Sequence, residues 1–247
     1  MLLILQAIVL YAWMCVSCVL TFFTIPLQFF KLDVDGNLFL ARIFRLVAGP
    51  VSGIEVKVEG QEHLKDRVPR VIVANHQHAL DFAVFSWVIP RSMIVIGKFE
   101  VIFIPFFGVL FWALGHVLIH RKNRVQSISG LDQAADAMIN RSASVFVFPE
   151  GTRNHQLHGF LPFKKGAFYL AAKAGVPIVP IVVSSLKPLL PKDRSRIKKG
   201  IVHVKILPPI STAGVDFKDK NQISELVEKT RSTMKDVFDR LETKVLS

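Results

Sequence analysis

Two polar stretches in this 247-residue chain can move protons and hold anions, and each sits at the end of an apolar run. The first, Asn75-His76-Gln77-His78-Ala79-Leu80-Asp81, follows Arg70–Ala74 (RVIVA). A neutral imidazole can take a proton from a hydroxyl, and a carboxylate can orient that ring and stabilise the imidazolium. On a continuous helix five residues turn about 500°, leaving His76 and Asp81 roughly 140° apart. The pair therefore meets only if His76 lies in a turn and Asp81 opens the next helix. Both would then stand at the C-terminal end of a strand, where ligand sites of open α/β sheets collect. His78 is expected to point elsewhere. The competing reading is a structural histidine followed by a helix-start aspartate.

The second stretch, Phe148-Pro149-Glu150-Gly151-Thr152-Arg153, closes the run Ser144–Phe148 (SVFVF). An acid, a glycine turn, a hydroxyl and an arginine suit an anionic group. Gly115–Arg121 (GHVLIHR) reads as a strand from which Arg121 emerges. Arg121 and Arg153 could both hold a phosphate, because a planar guanidinium grips it bidentately. A solvated surface arginine is the alternative for each. In Val176–Ile181 (VPIVPI), Pro180 lacks the N–H that a central strand needs, which predicts a bulge or a sheet edge there.

The elements that must position these residues follow from periodicity. Ile54–Glu59 alternates at period two, and Arg70–Ala74, Met93–Ile96, Ser144–Phe148 and Ile178–Val183 are short apolar runs. They predict buried strands of a mostly parallel sheet, with alternation returning at Ile201–Leu207. Val125, Ile128, Ala135, Met138 and Ile139 recur at helical spacing. Gly166–Gly175 predicts a helix ended by its glycine, and Ile223 to Leu241 an amphipathic C-terminal helix. The fold class expected is α/β, a mostly parallel central sheet flanked by helices behind an N-terminal membrane-anchoring helical segment. Residues 1–50 form the anchoring part and 51–247 the globular domain.

Composition separates the possible partners. Lys and Arg number 31 against 19 Asp and Glu, a net charge of +12, yet 51% of residues are hydrophobic. That excludes a disordered basic tail and leaves nucleic acid or an anionic membrane surface as partners for the charge. No charged residue precedes Lys31, and residues 1–30 hold enough helix to cross a hydrocarbon core of about 30 Å. The segment lacks the basic start and short apolar core of a cleaved signal peptide. A retained anchor is expected, bent or ended near Pro26. With Lys31, Arg42 and Arg45 after it, its C-terminal flank should face the cytosol. Cys15 and Cys18, the two cysteines of the chain, are read as small apolar residues on this helix. Residues 31–247 therefore offer no thiol nucleophile, cysteine-ligated zinc or disulfide.

In this order and spacing, the four blocks carry a resemblance. NHQHALD resembles the N-H-x-x-x-x-D block of the glycerolipid acyltransferase family, and FPEGTR its F-P-E-G-T-R block. Gly115–Arg121 is similar to its G-x-x-F-I-x-R block, and VPIVPI to its V-P-I-x-P-V block. Lys98-Phe99-Glu100 with Pro105–Gly108, and Leu161–Phe168 (LPFKKGAF), resemble further family segments. Over roughly residues 50–210 the likeness is to 1-acylglycerol-3-phosphate acyltransferases, with His78, Leu118 and His120 standing where Ser, Phe and Asp are usual. His120 alters the field beside Arg121.

The resemblance implies transfer of an acyl group from acyl-CoA, or a carrier-protein thioester, to the sn-2 hydroxyl of lysophosphatidic acid. Phosphatidic acid would be the product, at a membrane and without a metal or cofactor. His76 and Asp81 would be catalytic. Lys98, Arg121, Glu150, Gly151, Thr152 and Arg153 would bind substrate. A carboxylate binds phosphate poorly, so Glu150 is expected to hold Arg121, Arg153 or Lys98 in place. Lys98 or backbone N–H groups near Gly151 are the candidate oxyanion donors. Acyl-CoA, lysophosphatidic acid and membrane lipids are the expected partners, and nucleic acid is not. The expected location is the endoplasmic reticulum, with the domain at its cytosolic face, or a bacterial inner membrane. Another lysophospholipid or glycerol-3-phosphate as acceptor, and a non-catalytic membrane-binding protein, are the alternatives.

Two further expectations follow. Val101–Ile119 is long and apolar enough to span a membrane, but a crossing there would separate His76 from Glu150 and Arg153 by the bilayer thickness. A reentrant, interfacial or tunnel-lining segment, broken by Pro105, Gly108 and Gly115, is predicted instead. The basic stretch Lys187–Lys205 is either a solvated loop or a contact for anionic headgroups or donor phosphates.

Overall fold

A computed structural model describes residues 2–29, 35–66, 68–120, 124–154, 159–190 and 196–246. Arg121, Lys31, Lys192 and Arg194 lie outside the described residues. In chain order, α1 (Leu2–Phe22), α2 (Ile25–Phe29) and α3 (Gly36–Ser52) precede β1 (Ile54–Glu59) and β2 (Val71–Ala74). Then come α4 (Asp81–Phe85), β3 (Met93–Lys98), α5 (Phe107–Ala113), β4 (Val117–Ile119), α6 (Arg124–Arg141) and β5 (Ser144–Val147). The last elements are α7 (Gly166–Ala174), β6 (Ile178–Val183), β7 (Gly200–Ile206) and α8 (Lys220–Leu246).

The seven strands form one sheet in the order β1-β7-β6-β2-β5-β3-β4. Strands β6, β2, β5, β3 and β4 run parallel. Strand β7 is antiparallel to β6 and parallel to β1. The segments leaving β2, β3, β4, β5 and β6 therefore gather along one sheet edge. Both faces of the central strands are covered, which is why their sequences are continuously apolar. On β2, Val71 and Val73 face the layer built with α6, α7 and α8. Ile72 and Ala74 face the opposite layer, with Val84 and Phe85 of α4.

Pro180 lies inside the sheet, not at an edge, because β6 is flanked by both β2 and β7. The expected bulge is present on the other strand. Ile181 pairs with Ile206, whereas Ile178 bridges Ile210, so the returning strand carries one extra residue opposite Pro180. Leu207 N–H donates to Pro180 O at 2.9 Å. The N–H that proline lacks thus falls where the pairing is already interrupted.

At the N-terminus, Leu2–Leu27 is the one stretch of helix among the described residues long and apolar enough to cross a bilayer. Leu2, Ile4, Leu5 and Ile8 are all more than half exposed, an outward apolar flank that suggests membrane association. The helix turns at Phe23–Thr24, just before Pro26. Its inner side is tied down. Gln6 Nε2 donates to Val51 O and Gln6 Oε1 accepts from Ile197 N, both at 2.9 Å. Trp13 Nε1 donates to Ile43 O at 3.0 Å. Cys18 is buried against Leu40 and Leu110, as a small apolar residue would be.

The run 101–119 does not cross. It breaks into a 3₁₀ turn (Phe99–Phe103), the seven-residue α5 and strand β4, which rejoins the sheet beside β3. Seven helical residues reach about 10 Å, a third of a hydrocarbon core. Phe103, Phe106, Val109 and Trp112 project outward from this segment, and α5 packs against α1.

Candidate active site

The site begins where β2 ends. Asn75 is buried and extends the sheet with its side chain: Nδ2 donates to Val183 O at 2.9 Å, and Val183 N donates to Oδ1 at 2.8 Å. The chain then turns through 76–80 and enters α4 at Asp81. This turn brings together the pair that a helix would separate. His76 Nδ1 stands 2.6 Å from Asp81 Oδ2. The same carboxylate oxygen accepts the N–H of Gln77 at 2.7 Å and of His78 at 3.1 Å. Asp81 is 1% exposed, so its charge is held by the turn it organises. With Nδ1–H donating to Asp81, Nε2 is the nitrogen left to receive a proton. His78 points elsewhere, its Nδ1 accepting Leu80 N–H at 3.2 Å.

The second loop closes over the first. Phe148, at the end of β5, stacks on the His76 ring with centroids 3.9 Å apart and planes 13° from parallel. Glu150 is 3% exposed, and among the described residues it pairs with neither Lys98 nor Arg153, two of the partners expected for it. Its Oε1 accepts His76 N–H at 2.9 Å and its Oε2 accepts Leu161 N–H at 2.8 Å. Burial raises its carboxyl above the ordinary glutamate range, against the lowering effect of those two N–H groups. Glu150 therefore fixes the backbone of the His76 turn. Asn154 N–H donates to His76 O at 2.7 Å, which lays exposed Thr152 and Arg153 beside the His76 turn. Gly151 adopts φ +69°, and its N–H donates to Phe148 O at 3.0 Å. That N–H is thereby engaged in closing the turn.

Strand register places the remaining candidates. Ile72, Phe146 and Val95 are level across β2, β5 and β3. Carried three residues on, this puts Asn75, Pro149 and Lys98 at one height, and Lys98 pairs with Ile119 of β4. Lys98 thus shares the site edge, about 10 Å from β2 across two strand spacings. Its Nζ lies 3.0 Å from Glu100 Oε1. His120 stacks on Phe99 at 3.9 Å, so the ring that replaces the usual Asp packs against the Lys98-Phe99-Glu100 segment. In the basic stretch, Lys187 leaves β6 at the site edge, and Lys198 and Lys199 precede β7 at that same edge. Lys205 lies on β7 itself, 3.4 Å from Glu59.

An acyltransferase family model matches residues 55–184, more than half of the chain. The chain belongs to this acyltransferase family. It is 37% identical over 207 residues to human 1-acyl-sn-glycerol-3-phosphate acyltransferase alpha, covering 84% of this chain and 72% of that one. The 1-acyl-sn-glycerol-3-phosphate acyltransferase of Escherichia coli is 34% identical over 196 residues, 79% of this chain and 78% of the relative. In fold, the chain resembles the 1-acyl-sn-glycerophosphate acyltransferase of Thermotoga maritima. The TM-score is 0.71 at 23% identity, over 97% of this chain and 95% of that one.

Several residues that build this acyltransferase site are not marked by any chemistry-bearing spacing in the sequence. Gln77 locks the His76–Asp81 turn to the end of β6. Its Nε2 donates to Val183 O and Ser184 O, each at 3.1 Å, and its Oε1 accepts Leu186 N–H at 3.2 Å. Glu242 of α8 accepts Ser185 N–H at 2.6 Å, tying the C-terminal helix to the same segment. Phe82, next to Asp81, packs edge-on against Phe44 of α3 and Phe107 of α5. Through it, α4 adjoins the apolar cluster that holds Cys18 of α1.

Proposed function

We propose that this acyltransferase moves a fatty acyl group from acyl-CoA to the sn-2 hydroxyl of 1-acylglycerol-3-phosphate, giving phosphatidic acid and CoA. The observation that carries the reading is the 2.6 Å contact of His76 Nδ1 with Asp81 Oδ2, at the sheet edge beside the 148–153 loop. His76 Nε2 takes the hydroxyl proton as the acceptor oxygen attacks the thioester carbonyl carbon. The new C–O bond forms, the C–S bond breaks, and the CoA thiolate receives the proton from the imidazolium. Asp81 stabilises that cation, and no acyl-enzyme and no cofactor takes part. Arg153 and Thr152, with Arg121, hold the acceptor phosphate, and Lys98 supplies positive charge for the oxyanion. The relatives' names support the acceptor. The apolar flank of α1 and the exposed aromatics of 103–112 suit a substrate drawn from a lipid surface. The cytosolic face of the endoplasmic reticulum, or of a bacterial inner membrane, is the location this implies.

The test is purified protein with labelled oleoyl-CoA and a panel of lysolipids, alongside His76→Ala. Wild type should acylate 1-acylglycerol-3-phosphate, and the variant should lose about 10²–10⁴-fold in rate. Equal rates would remove the general-base role. Product from a different lysolipid alone would change the acceptor and leave the chemistry standing.

A further inference from the structure

The segment Leu161–Phe168 is not absorbed by the reading above, although it wraps the site loop. Lys164 N–H donates to Pro149 O at 2.8 Å, fixing its backbone against the turn that carries Glu150. Its side chain then runs across Gly151. A Cβ placed on Gly151 would lie 2.8 Å from Lys164 Cε, 2.9 Å from Nζ and 3.0 Å from Cδ. Gly151 is favoured by its positive φ, and the lysine stem lies against it. The ammonium thus lies against Gly151, in the loop that runs from Phe148, stacked on His76, to the exposed Thr152–Arg153 pair.

The adjacent lysine does something else. Lys165 Nζ bonds Ser224 Oγ at 2.5 Å and Lys220 O at 3.3 Å, bracing α7 against α8. Lys164 has no ion-pair partner among the described residues. It is exposed, so its charge faces the space over the loop. Lys165 is thus engaged with α8, whereas the Lys164 side chain lies against the Gly151 turn and is exposed.

We propose that Lys164 is a phosphate-binding residue of the active site, acting with Thr152 and Arg153. A compact ammonium beside a guanidinium and a hydroxyl matches a phosphate with several acceptor oxygens. The inference rests on the acyl-transfer reading, whose two substrates both carry phosphate. The acceptor has a phosphomonoester, and the CoA donor has a 3′-phosphate and a pyrophosphate.

The experiment measures KM for each substrate at saturating levels of the other, in wild type, Lys164→Gln, Lys164→Arg and Lys165→Gln. A parallel series replaces the CoA donor with oleoyl-pantetheine, which lacks the nucleotide phosphates. Lys164→Gln should raise one KM by roughly tenfold or more, the loss expected for a charge-assisted hydrogen bond. Lys164→Arg should recover most of it, and Lys165→Gln should leave both KM values within about twofold of wild type. A rise confined to the acceptor, present with both donors, assigns the acceptor phosphomonoester. A rise confined to the CoA donor and absent with oleoyl-pantetheine assigns the donor phosphates. Unchanged KM values in a folded Lys164→Gln protein overturn the proposal, as does an equal rise in Lys165→Gln. If Lys164→Gln melts early, Lys164→Arg decides: KM within threefold of wild type sustains the proposal, and a tenfold rise overturns it. Absence of transfer in wild type would count against the acyl-transfer reading. In that event, a melting temperature raised by glycerol-3-phosphate in wild type but not in Lys164→Gln sustains the phosphate site, and no difference overturns it.

Discussion

Asp81 offers the sharpest separation of electrostatics from scaffolding. One of its oxygens accepts three hydrogen bonds, from the His76 ring and from the N–H groups of Gln77 and His78. Its other oxygen, Oδ1, is buried with no partner among the described residues. In Asp81→Asn the amide oxygen can occupy the Oδ2 position and keep all three bonds, while the NH₂ takes the place of Oδ1. The turn is retained, but the negative charge that stabilises the imidazolium is gone. The rate should fall by about 10²–10⁴-fold, roughly 2.7–5.4 kcal/mol of barrier. Asp81→Ala strips the acceptor altogether and strands two backbone N–H groups, each costing about 1–3 kcal/mol. Steady-state kinetics and urea denaturation on both variants check this. Asp81→Asn should melt close to wild type yet be slow, and Asp81→Ala should be slow and also less stable by about 2–6 kcal/mol. A fast Asp81→Asn, or an Asp81→Ala as stable as Asp81→Asn, would refute the argument.

Glu150→Gln should cost about 1–3 kcal/mol of stability and lower kcat, because an amide accepts only one of the two N–H groups now bonded to the carboxylate and turns a donor on the other. Circular dichroism melts with turnover numbers will show it. His116, whose Nδ1 accepts Val95 N–H at 3.2 Å, is pushed down to about 3 by desolvation. Its folded value lies below its unfolded one, so the stability it contributes is full above about pH 6.5 and fades as pH falls towards 3. At pH 5 the loss from this group is about 2 kcal/mol. His116→Gln, which keeps an acceptor, should flatten the stability profile between pH 7 and 5 by that amount in denaturation midpoints. Phe103→Ser with Trp112→Ser should weaken sedimentation with anionic vesicles by roughly tenfold or more, while leaving the protein's melting temperature unchanged. Wild-type partitioning in that pair would show that these side chains do not meet lipid.

Much of the architecture is legible without coordinates, because buried parallel strands must be continuously apolar and their boundaries are sharp. β2 and β6 fall within a residue of their apolar runs, and α7 stops at Gly175, whose φ of +65° suits the left-handed cap. The His76–Asp81 encounter is legible too, since five residues admit contact through one geometry. Pro180 misleads in part. A proline signals a missing donor, but the sequence does not say which strand takes up the slack, and here the neighbour bulges within the sheet. The role of Glu150 is illegible for a different reason: charge complementarity suggests arginine or lysine, whereas its actual partners are backbone N–H groups, which every residue except proline carries. Gln77 and Glu242 escape notice on the same ground, as their partners are backbone groups 57 to 109 positions away.

The placement of β7 between β1 and β6 has a consequence for how the molecule is made. Among the described residues β1 pairs with no strand but β7, so it waits unpaired until residues 200–206 have left the ribosome. Contacts of such long sequence separation form late, whereas the apolar first helix can reach a bilayer while translation is still under way. Until that closure, the nascent chain carries an apolar helix together with an open strand edge, two features that invite aggregation during synthesis.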